Sequence, residues 1–374
     1  MTKKEKLLIF AKSLDGGTGT YALSLLKLKS VQIKLVSLEK PRFRKISKGG
    51  TAYLKTGEGY PQKYYLAENF FAFFADLMKF KKRLDEFKPD IVLGIESHAN
   101  LMVQMCKAIF GYKFKTVLTT HIDLEKTLRS KSSGFAYAIL KGLIPFFYQR
   151  ADILVAVSKG VARGLKKDFG ITKKVAVIYN GIAINKPFKT RELSHTKTII
   201  CVGRLTEQKD HLTLIKAVQE VGLRFPEMVL LIPSDGPLKQ ELQNYVVKHN
   251  LSGRVKFLGW VKNLNALYTQ SDLFVLATKR EGFGYVLVEA MASSLPVIST
   301  DVDYGPREVL DNGKYGILVP PGNVRALTAA IIRIFSNPKI YSEYSKKAYY
   351  RALMYRETEM LSGYGRIISS LKKK

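Results

Sequence analysis

Twice along this chain, six short apolar runs alternate with segments of helical spacing, and that alternation restricts the fold more than any other feature. The first series is Lys6–Ala11, Val31–Leu38, Ile91–Ile95, Lys115–Thr120, Ile153–Val157 and Val175–Tyr179. Between them, stretches such as Tyr21–Lys29 and Leu101–Phe110 carry apolar residues at helical intervals. Short runs of continuous apolar character suit strands buried on both faces, and strands separated by helices pair in parallel. Asn180-Gly-Ile-Ala-Ile-Asn-Lys-Pro187 breaks the pattern, and charged residues follow to Lys197. A second series then starts: Thr198–Val202, Met228–Pro233, Val255–Leu258, Leu273–Leu276, Pro296–Thr300 and Gly316–Val319. Leu212–Val221 and Leu238–His249 are helical segments within it, and Ile340–Lys374 reads helical. The expected fold class is α/β, with two Rossmann-like, doubly wound domains facing each other across a cleft and a boundary near residue 186. A length of 374 residues, more than one core usually organises, agrees with that count.

One stretch of the second series carries most of the functional signal. Asp272–Ala277 reads as a buried parallel strand, and after it comes Glu281-Gly-Phe-Gly-Tyr-Val-Leu-Val-Glu289 and an apolar helix running to Pro296. Glu281 therefore belongs in the loop beyond a strand's carboxyl end, where open α/β sheets bind ligands. Gly282 and Gly284 allow a tight turn and close approach of the backbone, and a helix opening near Phe283 directs amides and a positive dipole end outward, which suits a phosphate. From that start Glu289 falls about two turns in, with a reach to a second part of a ligand about 10 Å away. Either glutamate alone fits a solvated charge. The pair, the glycines and the buried strand together point to a site that takes each end of an extended anionic molecule.

A second group supports it. Gly203-Arg204-Leu-Thr-Glu-Gln-Lys209 follows the first strand of the second series. A guanidinium grips phosphate oxygens in two places, and a lysine five residues on adds a mobile point charge.

On these motifs the chain resembles a retaining family 4 glycosyltransferase of the GT-B class. Glu281–Pro296 is the most specific part, with Gly203-Arg204-Leu and Lys209, Ser234-Asp-Gly-Pro-Leu238, Ala156-Val-Ser-Lys-Gly-Val161 and Asn180-Gly-Ile182 in support. The resemblance implies domains 1–186 and 187–357, with a C-terminal helix of about 358–374 packing back on the first. It implies that Glu281 contacts the transferred sugar, Glu289 the ribose, and that Arg204, Lys209 and the Gly282, Phe283 and Gly284 backbone hold the diphosphate. Gly16 and Gly17, in Asp15-Gly-Gly17, match an N-terminal glycine loop that offers amides to phosphates and acceptor. His121 matches a histidine near the sugar; taken alone it reads as a structural histidine. Base recognition falls around Asp235 and Gly259. Breaking a sugar–phosphate bond builds negative charge on the leaving diphosphate, which Arg204, Lys209 and the turn amides can meet, so neither a metal nor a cofactor is expected beyond the nucleotide-sugar co-substrate, a UDP-sugar by resemblance.

Composition bears on partners and place. Net charge is +30, and residues 1–180 hold 33 bases against 14 acids, or +19. Clusters at Arg42–Lys48 and Lys79–Arg83 mix bases with aromatics, as surfaces drawn to anionic lipid do. A solvated basic face and nucleic acid are the alternatives, although no nucleic-acid module is recognisable. The N-terminus has too short an apolar run for a signal peptide or a membrane span, and Cys106 and Cys201 are far apart within apolar stretches, so a reducing compartment is expected. The expected protein is cytoplasmic, peripheral at the inner membrane face, and transfers a hexose or N-acetylhexosamine to a lipid-linked or surface-glycan acceptor. Amphipathic Phe135–Phe147 is a candidate docking element, although Leu143–Phe147 also reads as core.

Alternatives are a soluble acceptor, a non-enzymatic basic protein binding nucleic acid or lipid, and an NAD-dependent oxidoreductase. The last rests on Gly17-Thr-Gly19-Thr-Tyr-Ala22 with Glu39, but four residues separate the first strand from those glycines, where a dinucleotide fingerprint turns at once. Asp301-Val-Asp303 has the spacing of a cation-binding pair, yet it follows a strand of the second series, where the resembling family has a pocket loop. Glu308 falls at that pocket's edge by the same resemblance.

Overall fold

The computed structural model describes residues 4–39, 51–53, 70–184 and 187–372. The basic cluster Arg42–Lys48 lies outside the described residues. The chain divides into two compact units: residues 1–181 with 357–374, and residues 182–356. The first transition falls five residues before the expected boundary at 186, and the second one residue before the expected 357.

The first unit holds a seven-stranded sheet in the order β3-β2-β1-β4-β5-β6-β7. Its strands are β1 Lys6–Ala11, β2 Gln32–Ser37, β3 Thr51–Tyr53, β4 Ile91–Ile95, β5 Lys115–Thr120, β6 Ile153–Ala156 and β7 Val175–Val177, all paired in parallel. β3 is absent from the sequence reading, because three residues at a sheet edge carry too short a pattern to register. Along β1 every residue from Leu7 to Ala11 is fully buried, as expected for a central parallel strand. Each leucine, isoleucine or phenylalanine among them stabilises by about 1.5–3 kcal/mol.

The two faces of this sheet have separate cores. Leu8 and Phe10 join Phe73, Leu77, Phe80 and Leu84 in one cluster with the helices Phe70–Phe87, Glu96–Phe110 and Gly134–Gln149. Helix Gly16–Leu25 leads from β1 back to β2, the opposite direction along the sheet, so a right-handed crossover puts it on the other face. The C-terminal helix Glu357–Lys372 packs beside it. Helix Gly16–Leu25 starts five residues before the expected Tyr21. Glycine-rich sequence reads as loop, but here Gly19 is required inside the helix: a Cβ on it would lie 1.6 Å from the Leu14 carbonyl oxygen.

The second unit holds a six-stranded parallel sheet in the order β10-β9-β8-β11-β12-β13. These are β8 Thr198–Ile200, β9 Val229–Ile232, β10 Val255–Phe257, β11 Leu273–Leu276, β12 Val297–Thr300 and β13 Ile317–Val319. Helices His211–Val221, Lys239–Lys248 and Val324–Phe335 bury Leu214, Val218, Leu242 and Ile331 against it. Arg191 ties the start of this unit down, its guanidinium donating to the carbonyls of Tyr268, Thr269, Ser271 and Ser293. The expected C-terminal helical tail is two helices, Pro338–Ala352 and Glu357–Lys372, parted by a short turn, and only the second belongs to the first unit.

Candidate active site

In the second sheet the strand order reverses between β8 and β11, neighbours in space but far apart in sequence. Loops at such a switch point part to leave a crevice beyond the carboxyl ends. Lys209 follows β8 and Glu281 follows β11, and their side chains form an ion pair with each partner about one-sixth exposed. The motifs that looked separate in sequence thus meet. What joins them is backbone: the Gln208 carbonyl accepts from the Lys279 amide at 2.8 Å and from Thr278 Oγ1 at 2.9 Å, while Gln208 Nε2 donates to the Arg280 carbonyl at 3.0 Å. Gln208 and Thr278 escaped the sequence reading, since only the spatial pairing of β8 with β11 gives them a role.

Gly203 makes room for the lysine, because a Cβ there would press on Lys209 Cδ at 3.2 Å. Arg204 next to it is exposed, and its guanidinium makes no ion pair or hydrogen bond among the described residues. The same edge of the sheet carries Asp235 after β9 and Gly259 after β10. The Asp235 main-chain carbonyl accepts from the Leu205 amide at 3.0 Å, and a Cβ on Gly236 would sit 2.5 Å from the Leu205 carbonyl, so the two loops are packed tightly together. The Asp235 carboxylate itself turns to the Gly236 amide at 2.7 Å and to Lys239 at 3.2 Å, which together hold it below the usual carboxylate range. Gly259 has φ +68°, and Trp260 beyond it is 46% exposed.

The Glu281 turn differs from expectation in one respect. Its helix spans Tyr285–Ala292 rather than opening near Phe283, with Gly284 at φ 92° as the residue before it. Gly284 occupies a left-handed conformation that a side chain would strain. Glu289 is therefore one turn in, not two, a rise of about 6 Å from Tyr285. It accepts a hydrogen bond from the buried Tyr268 hydroxyl at 3.2 Å. Burial, followed by the neighbouring Glu289 carboxylate, pushes the Tyr268 phenol well above its ordinary value, so this hydroxyl stays a donor. The Phe283 side chain is buried edge-on to Tyr285 and Tyr355, so Phe283 can offer a ligand only its main chain. Gly305 presses on this turn from the next loop: at φ +78°, a Cβ on it would lie 2.9 Å from the Phe283 carbonyl oxygen. Asp301 accepts two hydrogen bonds from Arg307, at 2.6 and 2.8 Å, so the carboxylate of the supposed cation pair already has a counter-charge.

The first unit has its own switch point, between β1 and β4. Gly16 and Gly17 stand after β1, in the first turn of a helix rather than in an open loop, Gly16 at φ +63°. Glu96 follows β4 at φ +73°, a left-handed conformation that costs a non-glycine residue about 1–2 kcal/mol and that no sequence pattern betrayed. His121 follows β5 and is buried, its Nε2 3.0 Å from Thr119 Oγ1 and its ring edge-on to Tyr21 at 4.3 Å. Burial pushes its pKa down to about 3, so His121 is a neutral imidazole at physiological pH. Ser158, in the Ala156–Val161 motif, caps helix Lys159–Phe169 through the Val161 amide at 3.1 Å. Gly19, in the dinucleotide-like run, is fixed by its close approach to the Leu14 main chain.

Comparison with known proteins agrees with this architecture. Residues 16–186 match the Glycosyltransferase Family 4 model and residues 184–351 the Glycosyl transferases group 1 model. An uncharacterised glycosyltransferase of Methanocaldococcus jannaschii is 31% identical over 270 residues, which cover 65% of this chain and 66% of that protein. The N-acetylgalactosamine-N,N'-diacetylbacillosaminyl-diphospho-undecaprenol 4-alpha-N-acetylgalactosaminyltransferase of Campylobacter jejuni is 29% identical over 280 residues, 74% of this chain and 75% of its own. Among solved structures, sucrose-phosphate synthase from Thermosynechococcus elongatus superposes with a TM-score of 0.81 at 19% identity, covering 99% of this chain and all of that one. The Anabaena protein HepE in complex with UDP and glucose superposes with 0.79 at 18% identity, covering 98% and 100%. With the two models together spanning residues 16–351, this chain belongs to the family 4, group 1 glycosyltransferases, hexosyl-transferring enzymes of the GT-B fold.

Proposed function

We propose that this enzyme moves a hexose or N-acetylhexosamine from a nucleotide-sugar, a UDP-sugar, to a lipid-linked or surface-glycan acceptor with retention of anomeric configuration. The observation that carries the reading is the Lys209–Glu281 pair at the switch point of the second sheet. An ammonium has three donors, so Lys209 can keep Glu281 while giving a hydrogen bond to an arriving diphosphate. Exposed Arg204 supplies a second cation beside it. Glu281, anchored by the lysine, accepts from the sugar hydroxyls and sits where positive character develops on the ring. The sugar C1–O bond to phosphate breaks, the acceptor oxygen bonds to C1 from the same face, and the acceptor's proton passes to the departing phosphate oxygen. Negative charge appears where fixed cations already stand, which is the form of stabilisation that lowers such a barrier most. We extend the same reading to the absence of a required metal, and to a peripheral place at the inner membrane face. The undecaprenol-linked acceptor named for the Campylobacter relative and the UDP bound to HepE support acceptor and donor class.

A panel of nucleotide-sugars offered with lipid-linked acceptors tests the proposal. Transfer with a UDP-sugar, product of unchanged anomeric configuration and activity undiminished by EDTA are expected. Glu281→Ala should lower turnover by about a hundredfold or more while the melting temperature stays close to that of the parent. Full activity in that variant removes the site assignment.

A further inference from the structure

Two buried histidines stand beyond strand ends, His121 after β5 and His211 after β8, and they differ in one respect. Both ring nitrogens of His211 are closed off inside the protein. In His121 one nitrogen is engaged and the other open. Nε2 lies 3.0 Å from Thr119 Oγ1, while Nδ1 has no hydrogen-bond partner among the described residues and is not among the sealed polar atoms. The residue is only 8% exposed, and what remains open of its ring includes Nδ1.

Thr119 decides which nitrogen carries the proton. Its hydroxyl has one proton to give and two lone pairs that accept. The Gly94 carbonyl, 3.0 Å from Thr119 Oγ1, can only accept, so the proton points there. The Nε2 contact at 3.0 Å on the same oxygen is then Nε2–H donating to a lone pair. The other tautomer would set two acceptors against a single hydroxyl proton and leave one of these contacts without a hydrogen. With its proton on Nε2, a neutral imidazole carries a bare lone pair on Nδ1. Burial keeps this ring neutral, its pKa pushed down to about 3.

The threonine is itself held from behind. Asn100, on helix Glu96–Phe110, donates through Nδ2 to the Thr119 carbonyl at 3.0 Å and to the Tyr148 hydroxyl at 2.9 Å. The same side chain crowds Gly94, where a Cβ would come 2.4 Å from Asn100 Oδ1. Asn100 and Thr119 are fully buried, so Gly94, Thr119 and His121 form one continuous line from β4 across the end of β5.

The geometry points to Thr119 as a positioning residue: it fixes His121 as the Nε2–H tautomer, so that Nδ1 receives a hydrogen bond from a hydroxyl of the bound sugar. Such a nitrogen offers nothing to a diphosphate, whose oxygens also accept. The assignment rests on the glycosyl-transfer reading above and adds how the imidazole meets the saccharide.

The full chain, its five histidines isotope-labelled at the ring nitrogens, is read by long-range proton–nitrogen correlation at neutral pH. The His121 signals are those that vanish in His121→Gln. Nε2 should be protonated and Nδ1 bare. Thr119→Val, which keeps the branched shape without the hydroxyl, should mix the tautomers and lower kcat for transfer about tenfold or more, with affinity for free UDP unchanged. Thr119→Ser should restore the parent's tautomer and kcat. A proton on Nδ1 in the parent overturns the inference, as does a Thr119→Val enzyme with the parent's tautomer or the parent's kcat. A serine variant as slow as the valine variant would mean that shape and not the hydroxyl matters, and weaker UDP binding by Thr119→Val would put His121 at the diphosphate. Either result also overturns it. If the parent transfers sugar from no nucleotide-sugar while its spectrum shows Nε2–H, the transfer reading fails and takes the sugar contact with it, leaving only the tautomer lock.

Discussion

The two units follow one plan and fill it with opposite chemistry. Each has a parallel sheet whose order reverses beside its first strand, β1 with β4 and β8 with β11. At the second unit's switch point stand charges: Lys209 paired with Glu281, and Arg204 exposed next to them. At the first unit's stand glycines, a strained Glu96 and, one strand on, a buried neutral His121. Fixed charges at strand ends come as a compact motif that sequence displays. Backbone shape and a buried neutral imidazole leave a fainter trace in sequence.

Two crowded glycines, one in each unit, sharpen this comparison. Gly19→Ala would put a Cβ 1.6 Å from the Leu14 carbonyl, and Gly305→Ala would put one 2.9 Å from the Phe283 carbonyl at φ +78°. The first clash is with the Leu14 main chain and has no rotamer escape. We expect it to cost the first unit about 3 kcal/mol or more, a fall in its melting temperature of roughly 6–12 °C. Donor binding in the second unit should persist, measured by titration with the free nucleotide. The second contact needs a shift of a few tenths of an ångström and left-handed strain of about 1–2 kcal/mol, and it bears directly on the Gly282–Gly284 turn. Gly305→Ala should therefore keep the fold and lower kcat more than it raises KM. If Gly305→Ala unfolds the chain, or Gly19→Ala leaves it intact, the contrast between a structural and a site-positioning glycine is lost.

Acid separates the units by a smaller margin. Burial holds His98 and His121 of the first unit at about 3, His98 also repelled by Lys12, and His211 of the second at about 4. In the unfolded chain a histidine takes its proton near pH 6.5. Below that pH the unfolded state binds more protons, so stability is complete above about 6.5 and declines as pH falls toward the folded values. At pH 5 each buried histidine costs about 2 kcal/mol, roughly 4 for the first unit against 2 for the second. Hydrogen exchange resolved by segment between pH 7.5 and 5 should show the first unit opening earlier. Equal loss in both would mean that one of its histidines is not buried in solution.

What could be read from sequence follows the same division. Strands β1, β4, β5 and β11 carry the bounds their apolar runs announce, because buried parallel strands need unbroken apolar residues. The Glu281–Glu289 segment was legible because glycines, a strand and a helix start are all local signals. The Gln208 clasp on Thr278 was not, as its partners are 70 positions apart and have unremarkable side chains. Helix Gly16–Leu25 was set too late because glycine's low helix propensity is overridden by the close packing that Gly19 permits.

The smallest effect concerns the helix that returns to the first unit. Glu357–Lys372 is held there by a buried hydroxyl pair, Tyr21 with Tyr364, and by an ion pair between Lys27, 57% exposed, and Glu357 at 2.7 Å. Tyr21 also packs edge-on against His121, so the returning helix reaches the imidazole through one intermediate ring. The two links differ in kind. Burial pushes the Tyr364 phenol well above its ordinary range and keeps it a neutral acceptor of the Tyr21 hydroxyl, insensitive to salt. The exposed lysine is screened. A double-mutant cycle on Tyr21→Phe and Tyr364→Phe should give a coupling of about 1 kcal/mol that survives 1 M salt. The cycle on Lys27→Met and Glu357→Gln should give roughly 0.5 kcal/mol or less, fading in the same salt. The reverse ranking would mean that surface charge rather than the buried hydroxyls docks this helix, and the path from the chain's end to His121 would lose its middle link.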